Sequence, residues 1–124
     1  MKVMHTDKAP AAVGPYSQAI EANGMLYLSG QIAINPEAGK IVADDIEGQA
    51  EQCCRNVEAV LEAAGLDMNA VVKTTCFLAD IADFQKFNAV YAKHFISKPA
   101  RSCVAAKALP AGALCEIEAL AVKE

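Results

Sequence analysis

The last apolar run of the chain constrains its fold more than any other feature. Between Cys115 and Val122, the residues Cys115, Ile117, Ala119 and Ala121 alternate with Glu116, Glu118, Leu120 and Val122. Spacing of period two is the mark of a strand, whose side chains point to opposite faces in turn. The first set is wholly apolar. The second opens with two carboxylates and turns apolar at its far end. Such a strand belongs to a sheet that buries one face completely and the other in part. The rest of the chain offers two helix-like stretches, and two helices lying on a sheet cover one face. The other face therefore needs a partner, and a symmetric homo-oligomer is its simplest source.

The first helix is expected over about 46 to 64. Ile46, Ala50, Cys53, Val57, Val60, Leu61 and Ala64 form one stripe at helical spacing. Asp44 or Asp45 can cap it and Gly65 can close it. Gly48 weakens its first turn. A second helix is expected over about 82 to 95, with Phe84, Phe87, Val90, Tyr91 and Phe95 as its stripe. That aromatic row reads as core packing rather than a ligand box. Asn23-Gly24 between 17–22 and 25–30 is the strongest short hairpin signal in the chain. Strands are also expected at 71–78, 101–107 and 115–122, which gives the order β-β-α-β-α-β-β. A single α+β domain over 1–124 follows, with both helices on one face of a mixed sheet.

Composition narrows the function. The net charge is −4, whereas binding to a phosphate backbone calls for a basic surface. No nucleic-acid partner is therefore expected. There is no run of apolar residues long enough for a membrane helix and no signal-like start, so a cytoplasmic protein with reduced thiols is expected. The five cysteines include no CxxC pair, and neither His5 nor His94 sits beside a cysteine. Metal-ligand spacing is thus missing, and no metal is expected. Neither a GxSxG elbow nor a P-loop occurs.

Pro99-Ala100-Arg101-Ser102-Cys103-Val104 is the first place where chemistry is expected. Alternation puts Arg101, Cys103 and Ala105 on one strand face. If 101–107 and 115–122 form a hairpin with Cys103 opposite Glu116, Arg101 falls opposite Glu118. The guanidinium, the thiol and two carboxylates would then share a face, although a one-residue slip would destroy the arrangement. An arginine fork can grip a carboxylate through two parallel hydrogen bonds, and a neighbouring glutamate can activate water. The plainer reading is a cross-strand Arg–Glu pair without function. Cys103 as a nucleophile lacks a base partner. Gly14-Pro15-Tyr16-Ser17-Gln18 presents Tyr16 beside a strand, and Ser29-Gly30-Gln31 ends an apolar strand where the Gly30 N–H could meet an anion.

At these residues the sequence resembles the RidA/YjgF family of imine deaminases. The resemblance is carried by Gly14-Pro15-Tyr16-Ser17-Gln18-Ala19, Leu28-Ser29-Gly30-Gln31, Phe87-Asn88-Ala89-Val90-Tyr91, the Pro99-to-Val104 run, and Glu116-Ile117-Glu118. It implies a chorismate-mutase-like α+β fold and a homotrimer with active sites between subunits. It implies hydrolysis of 2-imino or enamino acids, such as 2-iminobutanoate and 2-iminopropanoate, to 2-keto acids and ammonia without any cofactor. It assigns carboxylate binding to Arg101 with help from the Gly30 backbone, and water activation to Glu116. Tyr16, Ser29, Asn88 and Cys103 are placed around the substrate. Cys115, where an aliphatic residue is more usual, should point away from Glu116. Two other readings remain open at this point. One is a single-strand endoribonuclease or translation inhibitor, which wants basic tracks and stacking aromatics. The other is a keto-acid binding protein that would keep Arg101 but need no Glu116.

Overall fold

The Asn23-Gly24 dipeptide makes the turn its composition calls for. Both residues take positive φ, 52° and 75°, as a tight two-residue hairpin requires. In the computed structural model, which describes all 124 residues, this turn joins β2 (Ala19–Ala22) to β3 (Met25–Gln31). An additional strand, β1 (Lys2–Met4), pairs with β2. A separate two-stranded ribbon, β4 (Ile34–Asn35) and β5 (Lys40–Ile41), follows β3. These three short strands were not expected from the sequence. Lys2–Met4 is too short to show a period, and the ribbon has only two residues on each side.

Helix α1 covers Ile46–Ala63. The Asp45 carboxylate accepts the N–H of Gly48 at 2.9 Å, and Gly65, at φ 77°, turns the chain out of the helix. Gly48 has a reason to be glycine despite its helix propensity. A β-carbon there would lie 2.6 Å from the capping oxygen of Asp45 and 2.8 Å from Cβ of Ala43. β6 covers Val71–Leu78 and α2 covers Phe84–His94. The turn Ile81–Asp83 ahead of α2 is a 3₁₀ helix capped by Asp80, so the α-helix starts two residues later than expected. β7 is Ala100–Ala105 and β8 is Cys115–Val122.

The main sheet has six strands in the order β1-β2-β3-β8-β6-β7. The expected hairpin between the last two strands does not form. β6 lies between β7 and β8, parallel to the former and antiparallel to the latter. The reason is topological. α2 carries the chain from β6 back to its starting end, so β7 lies parallel to β6 at the sheet edge. β8 then crosses to the vacant position between β6 and β3.

Both helices lie on one face. There, Cys115, Ile117, Ala119 and Ala121 of β8 join Val57, Val60 and Leu61 of α1, Phe87 of α2 and Phe95 just past its end in one buried core. Cys115 and Cys53 meet across it, Sγ to Sγ, at 3.7 Å. The opposite face carries Glu116, Glu118, Leu120 and Val122, with Phe77 and Val104 beside them. No element of the chain covers it. Tyr27, at 46%, and Val104, at 48% exposure, stand open to solvent there.

Candidate active site

Two clefts carry the side chains singled out by sequence, Cys103 excepted, and they share no residue. The first, of about 610 Å³, opens above Glu116 on the face without helices and is lined by Tyr16, Ser29, Gly30, Gln31, Glu116 and Glu118 among others. Its shape follows from an irregularity in the ladder. The β3–β8 register shifts between Leu28 and Gln31, which leaves Gly30 under the Glu116 side chain. A β-carbon on Gly30 would stand 2.9 Å from Cδ of Glu116. Glycine is therefore a condition for Glu116 to lie where it does. Burial pushes the Glu116 carboxyl above the usual carboxylate range, and the nearby Glu118 adds to the effect. Tyr16 is half-exposed at the rim. Ser29 spends its hydroxyl proton on the carbonyl of Ser17 at 2.6 Å, so toward the cleft it can only accept.

Three buried amides hold the walls of this cleft. Gln18 donates to the carbonyls of Thr6 and Pro10 and accepts from the Thr6 N–H. Asn56 of α1 donates to the carbonyls of Ile32 and Ile34. Gln49 accepts the N–H of Leu114, just ahead of β8, at 2.8 Å. Sequence reading did not single out Gln49 or Asn56. The available signal was position: both sit at helical spacing beside the apolar stripe, where a polar residue must find partners.

The second cleft, of about 480 Å³, lies beside the edge strand and α2 and is lined by Asn88, Tyr91, Phe95, Ile96, Lys98 and Arg101 among others. Nη1 of Arg101 donates to Oδ1 of Asn88 at 2.8 Å. The guanidinium carbon sits 4.7 Å from the centroid of the Tyr91 ring and 5.6 Å from that of Phe84. No carboxylate pairs with it. The ion pairs of the chain join His5 to Asp7, Arg55 and His94 to Glu51, and Lys123 to Glu21. The cross-strand Arg–Glu pair does not exist.

The register decides how the two clefts relate. Arg101 and Ala119 both stand opposite Thr74, and Val104 and Glu116 both stand opposite Phe77. Arg101 and Cys103 thus share the helix-covered face with Ala119 and Ile117, whereas Glu116 and Glu118 point the other way. The single shared face expected from a hairpin is replaced by two faces, because β6 intervenes. Tyr16, Ser29, Gly30 and Glu116 come together in one cleft, and Asn88 and Arg101 in the other. Cys103 lines neither. It packs against the core, and burial pushes its thiol up, with Arg101 opposing the shift. It is a neutral thiol near pH 7. No three or more His, Cys, Asp or Glu side chains gather as a metal site, and no helix is long and apolar enough to cross a membrane.

Compared with known proteins, the family described as Endoribonuclease L-PSP matches residues 6–123. The chain belongs to this family, RidA/YjgF. Among curated relatives of this RidA/YjgF member, the mouse (Mus musculus) protein named 2-iminobutanoate/2-iminopropanoate deaminase is 46% identical over 98% of this chain and 91% of its own. The Arabidopsis thaliana protein named Reactive Intermediate Deaminase A, chloroplastic, is 50% identical over 97% of this chain and 65% of its own length. The solved structure of E. coli TdcF with bound serine superposes with a TM-score of 0.94 at 40% identity, covering 100% of each chain. The mixed α+β architecture is thus that of solved RidA/YjgF structures. Deaminase names occur among the relatives, and an endoribonuclease description attaches to the family.

Proposed function

We propose that the protein hydrolyses reactive 2-imino acids to 2-keto acids and ammonia, in sites completed between copies of the chain. The observation that carries this reading is that the arginine and the glutamate it needs lie on opposite faces of one sheet, each in its own cleft and each without a counter-charge. An unpaired guanidinium held by Asn88 and an aromatic ring is a ready anion site. A half-buried carboxylate whose pKa is raised is a stronger base than an exposed one, which suits it to take a proton from water. Neither cleft alone holds both groups. Pairing the bare face of one copy with the β7 edge of the next would unite them and would cover the apolar half of that face. A closed ring of three copies satisfies every such interface, and this is the homotrimer that the family resemblance implies.

In this reading Arg101 grips the carboxylate next to the imine carbon. Glu116 takes a proton from a water, whose oxygen bonds to that carbon while the C=N electron pair moves to nitrogen. Glu116 then returns the proton to nitrogen. Glu116 next carries the hydroxyl proton of this carbinolamine to the same nitrogen, so that the C–N bond breaks, ammonia leaves and the oxygen's electron pair closes the C=O bond. The Gly30 N–H and Tyr16 complete the anion's surroundings, with Ser29 accepting from the substrate, while Cys103 packs behind Arg101 against the core and is no nucleophile. The reaction consumes only water and draws on no cofactor. Single-stranded RNA suits the Glu116 cleft poorly, because its charged groups are two carboxylates. The test is to generate 2-iminobutanoate in place from an amino acid and follow keto-acid formation with and without the protein. Faster formation is expected, and an unchanged rate would overturn the assignment.

A further inference from the structure

The aromatic stripe of α2 does two different jobs. Phe87 and Phe95 are fully buried in the core. Tyr91 belongs to the same stripe, yet one face of its ring turns toward the Arg101 guanidinium, 4.7 Å away. The ring has little freedom of its own. Its hydroxyl shares a 2.7 Å hydrogen bond with the buried Thr74. Phe95 stacks on it with centroids 4.3 Å apart and planes within 18°, and Phe87 stands 5.8 Å away. Thr74 is also the residue of β6 that stands opposite Arg101 in the parallel ladder. One strand position therefore fixes both the backbone of the arginine and the ring beneath its side chain.

An arginine is flexible, and holding a carboxylate with both prongs requires its plane to be set beforehand. Asn88 supplies one hydrogen bond to Nη1, which leaves rotation about that contact free. A ring face under the guanidinium removes that freedom by stacking and by cation–π attraction. We infer that Tyr91, tethered by Thr74, is a positioning residue that sets the plane of the Arg101 guanidinium for an incoming carboxylate. This rests on the proposal that Arg101 is the carboxylate anchor. Tyr91 has the role of holding Arg101, not of binding the substrate. It acts through Arg101, so its ring face matters more than its hydroxyl.

The experiment is titration of the full-length protein with 2-ketobutanoate by calorimetry, with melting temperatures measured in parallel. Tyr91→Leu removes the ring face and should weaken binding about tenfold, within the range of partly desolvated cation–π contacts. Tyr91→Phe keeps the face and loses only the Thr74 bond. It should melt at a lower temperature yet bind within threefold of the original protein. Should the leucine variant fail to fold, Tyr91→Met fills a similar volume without a π face and should show the same weakening. A merely structural tyrosine predicts instead that binding falls in step with melting temperature in both the phenylalanine and the leucine or methionine variants. That result, or a folded variant without the ring that binds normally, would overturn the inference. Arg101→Ala, measured alongside, separates the two layers. If it binds normally, the anchor reading fails and the positioning role goes with it. If it binds poorly while the variant without the ring binds normally, only the role of Tyr91 fails.

Discussion

Gly30 and Glu116 occupy mutually exclusive space: a β-carbon on Gly30 would collide with the Glu116 carboxylate and come within 2.9 Å of its Cδ. The backbone of Gly30 is not in the left-handed region, so alanine would meet no conformational strain there. The substitution therefore acts through the space it takes beside the glutamate and not through backbone strain. Gly30→Ala should displace the carboxylate by about an ångström and lower kcat/KM about 10²-fold, the usual scale for such a misplacement, with a small change in melting temperature. Steady-state kinetics on 2-iminobutanoate, with circular dichroism as the folding control, checks this.

Glu116 must be ionised to take a proton from water, and burial and Glu118 both raise its pKa. Activity should therefore fall as pH drops through a value above 4.5, the ordinary position of the group. Removing the neighbouring charge with Glu118→Gln should move that acid limb to lower pH. Glu116→Ala should lower turnover about 10²–10⁴-fold, the usual contribution of a general base, and leave 2-ketobutanoate binding nearly intact. A pH–rate profile of each protein is the measurement.

Arg101 has no carboxylate partner within the chain, so its removal leaves no buried acid unpaired. Losing two charge-assisted hydrogen bonds to substrate, about 1.5–3 kcal/mol each, should lower kcat/KM for Arg101→Ala roughly 10²–10⁴-fold. Arg101→Lys should also be badly impaired, because it keeps the charge and loses the fork. The check is kinetics on 2-iminopropanoate and 2-iminobutanoate, with thermal melts to show that both variants fold.

Much of this was legible in the sequence, and the reasons are local. The Asn23-Gly24 turn, the Asp45 cap, the Gly65 exit and the alternation of 115–122 are each decided by a few adjacent residues. What was not legible is where β6 goes. Arg101 and Glu116 each lie on a strand whose own alternation was read correctly. Which face of the sheet each occupies depends on strand order, however, and 101–107 followed by 115–122 looked like a simple hairpin. The parallel β6–β7 pairing depends on the return of the chain through α2, a contact across sequence that no local pattern encodes. The same holds for Tyr91, whose spacing marks it as core while the fold brings the Arg101 guanidinium to within 4.7 Å of its ring centroid. The shared-face expectation failed for that reason: the strand order puts Arg101 and Glu116 in two separate clefts.

A link between α1 and α2 should show in stability against pH. Glu51 accepts hydrogen bonds from Arg55 at 2.9 Å and His94 at 2.8 Å. The first and then the second of these hold its carboxyl below its ordinary value of 4.5. A depressed pKa contributes stability above the unfolded value, and that contribution is lost as pH falls through the folded one. The wild type should therefore melt above Glu51→Gln at neutral pH, and the gap should close below about pH 4.5, the unfolded-state value. Melting curves from pH 3 to 7 measure it.

The central claim is that Arg101 of one copy works with Glu116 of another. Arg101→Ala and Glu116→Ala chains, each nearly inactive alone, can be coexpressed with different tags and the mixed oligomers isolated. If sites form between copies, an intact arginine meets an intact glutamate at about a third of the interfaces of every mixed ring of three. Turnover of 2-iminobutanoate should then recover to about a third of the wild-type rate per site. If both groups serve from one chain, every site in the mixture lacks one of them. Mixed oligomers no more active than the two parents would contradict the account.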